Sequence, residues 1–495
     1  MTLTTDRWIR RLFWIVPLSL YLATLSPTIG YVDAALVLNN AHSLAISAWV
    51  NNHNLFSLLG WLWLRVFPLG SVFLRLNLLS ALFGAGTVYV IFLCCCEYTR
   101  CPEASLVAAL ALMFSHSLWW HSTMLEVYTL NSLLMALILY VLLRYTDSGL
   151  VGWFWAALLF WGLGISNHML MGLFAPAVFL FIILDRRSRR LRNLAVGGAC
   201  LLLGMALFIF ACVRSGLRYG SAGAVLELLN GGEFRTLMFS PASGCFWPLN
   251  YLFLLVFQYP SLCLIFLAWG LTALFIRPRR FELFLLTALA AQVLWSANFH
   301  IWDVYAYALP VYALAALPLA RGLASKQIGR RLLILTALTL LAPVLLYTNA
   351  ARIGPIRGWV ARYPMVERVK DAFDPAGYFL NPDKHDFRRV ERYTGELFSR
   401  LPENAWYYDD TYDYPIVYYY QRVLGKRTDL HCPIVFPFWI TEEKKLRLAA
   451  QINSRLAAGD PVYVAPYIMS LIQPLVEIRE SESVDLCGRK IYRLR

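Results

Sequence analysis

Charge is scarce in this chain. Charged residues make up 15% of its 495 residues and hydrophobic ones 59%, with a mean hydropathy of +0.56, against about 25% charged residues in an ordinary soluble domain. A single water-soluble globule is excluded. Acids are scarcer than bases, 30 Asp and Glu against 44 Lys and Arg. In a soluble protein that excess would point to nucleic acid. Here the bases sit in short loops between apolar stretches, where they orient a membrane protein, so the bilayer and not nucleic acid is the expected partner. No internal repeat or low-complexity tract stands out, which excludes solenoid and propeller arrays. The 10 cysteines show no metal-ligand spacing, and Cys94, Cys95 and Cys96 lie in an apolar run, where they read as packing. No small-residue cleavage site follows the first apolar stretch, which reads as an uncleaved signal-anchor.

Long apolar runs, by contrast, are plentiful. Before residue 350, eleven stretches approach the ~20 residues needed to cross a bilayer core of about 30 Å. They cover about 11–28, 76–96, 104–119, 127–145, 151–166, 170–184, 194–213, 250–275, 282–298, 304–320 and 332–348. Leu55–Leu69 is also apolar, but it is short, carries Arg65 and is closed by Pro68 and Gly70, so it reads as an interfacial or re-entrant helix. Counting it as a span would flip every later loop. With eleven spans, Arg7, Arg10 and Arg11, then Arg186 to Arg192, then Arg277, Arg279 and Arg280, then Arg321, Lys326, Arg330 and Arg331 share one side, as the positive-inside rule requires. The expectation is an integral multi-pass protein of the plasma (inner) membrane with a cytoplasmic N-terminus and an extracytoplasmic segment after Asn349.

That segment changes character. Pro364, Pro375, Pro382 and Pro402 appear among mixed charges, and short apolar runs such as Ala405–Tyr408, Ile416–Tyr420 and Val462–Tyr467 alternate with helical patterns such as Glu442–Leu456. The pattern predicts a polytopic α-helical membrane domain over residues 1–349 and a small α/β domain over 350–495.

Ionisable groups at membrane depth are costly and usually line a cavity or site. Asp33 follows the outer end of the first span in TLSPTIGYVD, Glu126 lies in HSTMLEVYTLN, Asn167 and His168 in GLGISNHML, and His300 and Asp303 in NFHIWDVY. Four outer turns thus carry acids and imidazoles, while the inner loops carry mostly arginine. That asymmetry suggests a polar cleft opening outward. Each residue also has a structural reading: Glu126 can complement a helix dipole, Asp33 can cap a helix Ala34–Trp49, and the histidines can be satisfied interfacial side chains.

TLSPTIGYVD, RLNLLSALFGA at Arg75–Ala85, HSLWWHSTMLEVYTLN at His116–Asn131 and GLGISNH at Gly162–His168 occur in this order. The set resembles the GT-C membrane glycosyltransferases, in the protein O-mannosyltransferase-like group classed as glycosyltransferase family 117. The resemblance covers about residues 13–180, is weaker around Ile301–Pro310 and is loose in LPENAWYYDDTYDYPIVYYYQ. It implies a GT-C-like fold and transfer of a mannose-like sugar from a polyisoprenyl phosphate to a protein or glycan hydroxyl on the outer face. The family's acids in its first and second external loops map to Asp33 and Glu126 as catalytic residues. Its His-Pro-Pro-Gly-Tyr-Pro stretch is replaced here by WVNNHNLFSLLG, with His53 displaced from the family histidine, and its Gly-Asp-Ser-Gly-Glu run is reduced to Gly30 through Ala34. The departures bear on acceptor choice and on activity.

The implied chemistry is consistent with the residue types present. A carboxylate can take the proton of an attacking hydroxyl, the role expected of Asp33. Arginine's planar fork suits a leaving phosphate, and Arg75, Arg214, Arg218 and Arg235 are the outer-face candidates, with lipid-headgroup contact as the other reading of each. Asn167, His168, His300 and Asp303 complete the expected substrate-binding set. No cofactor beyond the lipid-linked donor is implied. Asp409, Asp410 and Asp413 resemble a metal-ligand cluster, but acids between expected strands read as a solvated turn, so no metal is expected. The rival readings are a non-catalytic assembly protein and a transporter, the latter normally betrayed by paired repeats or broken helices near the midplane.

Overall fold

A computed structural model of the chain describes residues 11–30, 33–49, 52–230, 235, 238–239, 247–276, 278–299, 304–325, 328–360, 375–409, 414–433, 435, 441–476, 481–487 and 489–495. The apolar stretches form helices where their hydropathy places them. In order these are Ile15–Ala23, Val72–Thr99, Pro102–Met113, Tyr128–Ser148, Val151–Asn167, Ala175–Leu184, Leu191–Gly204 with Ala206–Tyr219, Trp247–Gln258 with Cys263–Phe275, Arg280–Ala297, Leu309–Leu323, and Arg330–Leu338 with Leu341–Asn349. Among the described residues, 4 helices are long and apolar enough to cross a membrane, or up to 6 if each of two bent pairs counts as one span. Several of the other expected spans are apolar helices of 10–17 residues, because turns interrupt them before the ~20 residues a straight crossing needs.

Two of the breaks have visible causes. Leu191–Gly204 and Ala206–Tyr219 meet at 58° where Gly204 lies against Gly162: a Cβ on Gly204 would stand 2.4 Å from the Leu159 carbonyl oxygen, and one on Gly162 2.3 Å from that of Leu201. The second pair bends by 116° across Tyr259 and Pro260, where proline's missing N–H interrupts the helical ladder. The stretch Leu55–Leu69 forms the helix Asn54–Val66, which buries Asn54, Leu55, Phe56, Ser57 and Gly60 and exposes Leu62 and Val66. The helix expected over Ala34–Trp49 runs instead over Asp33–Ser43. Leu44 turns into the left-handed region at φ 50°, and Asn52 and Asn54 tie the following loop by bonds to the Ala45 and Ser47 carbonyls.

Charged residues at one end of the bundle stitch helix ends together. Arg100 pairs with Glu97 at 2.9 Å and with Asp147, and Arg144 reaches Glu97 at 3.7 Å. Asp185 accepts from Tyr145 Oη at 2.5 Å and from the Ser188 N–H at 2.7 Å, and pairs with Arg280. Glu282 accepts from Tyr98 Oη at 3.1 Å and from the Arg279 N–H at 2.6 Å, and pairs with Arg321. Because burying the carboxylates of Asp185 and Glu282 costs desolvation, their pairs fix which helix ends meet more than they add net stability, and the exposed Arg100 pairs add little. All these groups lie at the helix ends expected to face the cytoplasm.

After residue 388 the chain builds a four-stranded sheet, order β1-β2-β4-β3. Here β1 is Trp406–Tyr408, β2 Val462–Val464, β3 Ser481–Leu486 and β4 Arg489–Leu494; β1 and β2 run parallel and the other pairs antiparallel. The helix Arg389–Arg400 buries Val390, Tyr393, Thr394 and Leu397, a single stripe at helical spacing. The helix Glu442–Ala457 starts at Thr441, whose side chain accepts from the Lys444 N–H. One expected apolar run differs: Ile416–Tyr420 belongs to the helix Tyr414–Arg422, because Ile416, Val417, Tyr419 and Tyr420 share a buried face and Tyr419 packs on Phe73 at 4.5 Å between ring centroids.

Candidate active site

The first two loops expected to face outward meet on the polar face of Val72–Thr99. The first span's helix ends at Ala23 with Thr24 as its C-cap, and the chain that follows is held by Asn77, whose Nδ2 donates to the Ser26 and Thr28 carbonyls at 2.8 and 3.0 Å. One turn later, Ser80 Oγ lies 3.1 Å from both the carbonyl and the amide of Glu126. The Ser26 N–H donates to the Thr123 carbonyl at 2.8 Å, joining the loops directly. A Cβ on Gly30 would stand 2.0 Å from Met124 Cε and 3.1 Å from Tyr378 Oη, so a larger residue here would displace the Met124 side chain from the loop contact. Asp33 opens the helix Asp33–Ser43 three residues beyond that contact; its side chain lies outside the described residues. Glu126 is half-buried, just before the helix Tyr128–Ser148. Its backbone is fixed by Ser80, so it precedes that helix instead of occupying its first turn.

Imidazoles and phenols stand beside this rim. His53 stacks on His168 at 4.9 Å, Tyr128 and Tyr307 lie 5.4 and 5.9 Å from His168, and His121 lies between Tyr128 at 5.3 Å and Tyr305 at 5.6 Å. Asn167 is buried and donates to the Val127 carbonyl at 3.3 Å. Burial pushes His53 and His121 down to about 4, against the opposing pull of the Asn167 and Ser117 carbonyls. Burial, and then the neighbouring His53, hold His168 well below the usual histidine range. All three are neutral at pH 7.

A segment from the C-terminal third closes over the two loops. The Lys384 N–H donates to the Thr24 carbonyl at 2.9 Å, Thr28 Oγ1 to the Phe387 carbonyl at 3.0 Å, Thr123 Oγ1 to the Pro382 carbonyl at 2.9 Å and Trp120 Nε1 to the Tyr378 carbonyl at 3.0 Å. Lys384 itself is 2% exposed. Its Nζ donates to the Tyr378 and Asn381 carbonyls and lies 4.7 Å from the Tyr378 ring centroid and 5.7 Å from that of Trp120. Burial pulls its pKa down to about 7, with Asp383 and Asp386 acting the other way.

The expected phosphate ligands separate into two groups. Arg75 is half-buried, and its Nη1 donates to the Leu64 and Phe67 carbonyls at 2.9 and 3.1 Å; it satisfies the C-terminal end of Asn54–Val66, where a cation also complements the helix dipole. Arg214 and Arg218 are exposed on Ala206–Tyr219. Arg214 donates to the Ile46 carbonyl at 3.4 Å, and the buried Ser215 Oγ accepts from the Ala48 N–H at 3.0 Å, which sets this helix against the loop after Asp33–Ser43. Arg235 is exposed; three residues on, Met238 bridges to Phe299. His300 and Asp303 lie outside the described residues. Among the described residues no group of three His, Cys, Asp or Glu side chains is placed to hold a metal ion. Asp409 is buried, not the solvated turn expected, because it accepts from Tyr407 Oη at 2.7 Å and pairs with Arg489 at 3.3 Å. Asp410 and Asp413 lie outside the described residues.

Comparison with solved structures finds ArnT from Cupriavidus metallidurans bound to undecaprenyl phosphate, at a TM-score of 0.63 and 14% identity, over 99% of this chain and 98% of that one. An oligosaccharyltransferase from Archaeoglobus fulgidus, in complex with Zn and sulfate, matches at a TM-score of 0.52 and 12% identity, over 97% of this chain and 72% of that one. The fold is the GT-C fold. Within it, residues 41–191 match the family described as Protein O-mannosyl-transferase TMEM260 N-terminal domain. The mouse Protein O-mannosyl-transferase TMEM260 is 30% identical over 130 residues, 26% of this chain and 18% of that protein, so the likeness spans less than a fifth of that relative's length. The family match spans three of the four motifs behind the resemblance, and TLSPTIGYVD precedes it. The family match includes Glu126, His53, Asn167 and His168 but begins after Asp33. Sequence reasoning about this candidate site missed Lys384, Trp120 and His121. His121 lay in a quoted motif and was open to it, but a lysine's contact with a loop some 360 residues earlier leaves no local signal.

Proposed function

We propose that the chain is a membrane glycosyltransferase that moves a mannose-like sugar from a polyisoprenyl-phosphate donor to a protein or glycan hydroxyl on the outer face of the membrane. The observation that carries this reading is a GT-C fold matched end to end with a protein solved with undecaprenyl phosphate, in which the two acid-bearing loops and the His53–His168 pair meet at one end of the bundle. Residues 1–349 would hold the membrane part, crossing about eleven times, and residues 350–495 an extracytoplasmic α/β part. The arginine-rich helix ends would then face the cytoplasm.

In this mechanism the acceptor oxygen forms its bond to the anomeric carbon as the bond from that carbon to the phosphate oxygen breaks. The phosphate leaves on its prenyl tail, and the acceptor's proton goes to the Asp33 carboxylate. Glu126 orients the acceptor or supports Asp33, while Arg214, Arg218 and Arg235 stabilise the departing phosphate through charge-assisted bonds. No metal or other cofactor has a step in it. Incubating the purified protein in lipid with radiolabelled polyprenyl-phosphate mannose and a peptide or glycan acceptor tests the proposal. Label transferred to the acceptor supports it, and a folded protein that leaves all label on the lipid overturns it.

A further inference from the structure

The two stacked imidazoles differ in which nitrogen carries the proton. The Leu170 N–H donates to His168 Nδ1 at 3.1 Å, so that nitrogen presents its lone pair and the proton of the neutral ring sits on Nε2. His53 Nδ1 faces the Asn167 carbonyl at 3.1 Å, an acceptor that demands a proton there, which leaves the lone pair on Nε2. One ring therefore offers a donor and the other an acceptor at their remaining nitrogens, and neither Nε2 has a hydrogen-bond partner among the described residues. Both side chains are positioned from the backbone, His168 as the cap of the short helix Met169–Phe174 and His53 just before Asn54–Val66.

Ligand chemistry can be narrowed from this. Two neutral imidazoles carry no charge to offer a phosphate, which arginine or lysine serves better. A hydroxyl both donates and accepts, so a matched donor and acceptor fit neighbouring hydroxyls of a sugar. The Tyr128 and Tyr307 rings beside His168 supply the aromatic walls that binding sites combine with a few convergent polar groups. Resting on the donor reading above, we infer that His53 and His168 are specificity-determining residues that read the hydroxyls of the sugar carried by the lipid phosphate, His53 Nε2 accepting and His168 Nε2 donating. The WVNNHNLFSLLG departure then places a sugar contact where the family resemblance had left only a displaced histidine.

The test compares two lipids on the full-length protein in nanodiscs: undecaprenyl phosphate and polyprenyl-phosphate mannose. His53→Phe keeps the stacking ring and removes its nitrogens; His168→Asn keeps an acceptor for the Leu170 N–H and removes the Nε2 donor. Each variant should lose about tenfold in affinity for the mannosyl lipid, the scale of one lost hydrogen bond, while binding undecaprenyl phosphate as wild type does and melting at the wild-type temperature. Variants that bind both lipids like wild type, or that weaken equally toward both, overturn the assignment. Wild-type protein that does not distinguish the two lipids would remove the donor reading itself, and the pair's role with it.

Discussion

Replacing Lys384 by methionine keeps the unbranched stem and removes only the amine, and its effect should change sign with pH. The amine donates to the Tyr378 and Asn381 carbonyls, bonds that it makes in either protonation state, together worth about 2 kcal/mol. Against them stands the cost of burying the charge. A fall from 10.5 to about 7 amounts to about 5 kcal/mol at about 1.4 kcal/mol per pH unit. Between those two values the unfolded chain holds the proton and the native chain has lost it, so native stability gains from this group as pH rises through the window and is at its lowest below pH 7. Other titrating groups are common to both proteins and cancel in the difference. At pH 7 the Lys384→Met protein should therefore melt no lower than wild type, and by pH 10 wild type should be the more stable. Melting curves of the pair in one detergent from pH 6.5 to 10 read this directly. Parallel pH profiles would refute the reasoning and show that the amine is either solvated or stably charged where it lies.

Arg75→Met should cost about 1–3 kcal/mol through the lost bonds to the end of Asn54–Val66 and leave undecaprenyl-phosphate binding unchanged; weaker lipid binding at an unchanged melting temperature would return Arg75 to the phosphate. Alanine at Arg214, Arg218 and Arg235 together should lower use of the lipid donor about ten- to a hundredfold, measured as initial transfer rate against donor concentration, and no change in donor dependence would reject their placement. Gly204→Leu forces side-chain atoms against the Leu159 carbonyl and should cost at least about 1–3 kcal/mol, read as a lower melting temperature; a wild-type melting curve would show that the crossing has room to open.

Hydropathy placed the helices because it responds to the local run of side chains, and the runs at 76–96 and 127–145 became the helices Val72–Thr99 and Tyr128–Ser148. It could not see helix breaks that depend on a neighbour: Gly204 looks unremarkable until Gly162 lies against it. The bend at Tyr259 and Pro260 was legible, since a proline inside an apolar run is a known breaker, yet the length of the run concealed it. Ile416–Tyr420 has strand-like composition, and its helix is set by tertiary contact with Phe73, a case of packing overriding propensity. In the candidate site two of the ordered motifs also contain the residues that tie their loops together, Asn77 and Ser80 in RLNLLSALFGA and Thr123 in HSLWWHSTMLEVYTLN. Arg75 donates to carbonyls at the end of Asn54–Val66, a contact that charge type alone cannot distinguish from phosphate binding. Lys384 was invisible for the reason that also makes it informative: all its partners in the membrane part are distant in sequence.

The most direct test of the central claim is the transfer rate of Asp33→Asn, measured with polyprenyl-phosphate mannose and an acceptor in protein shown to insert normally and to bind undecaprenyl phosphate. Asparagine keeps the size and the helix-starting ability of aspartate and loses its basic oxygen. A general base at this position predicts a rate lower by about 10²–10⁴ at unchanged lipid affinity. Transfer at the wild-type rate would remove Asp33 from the chemistry and contradict the account.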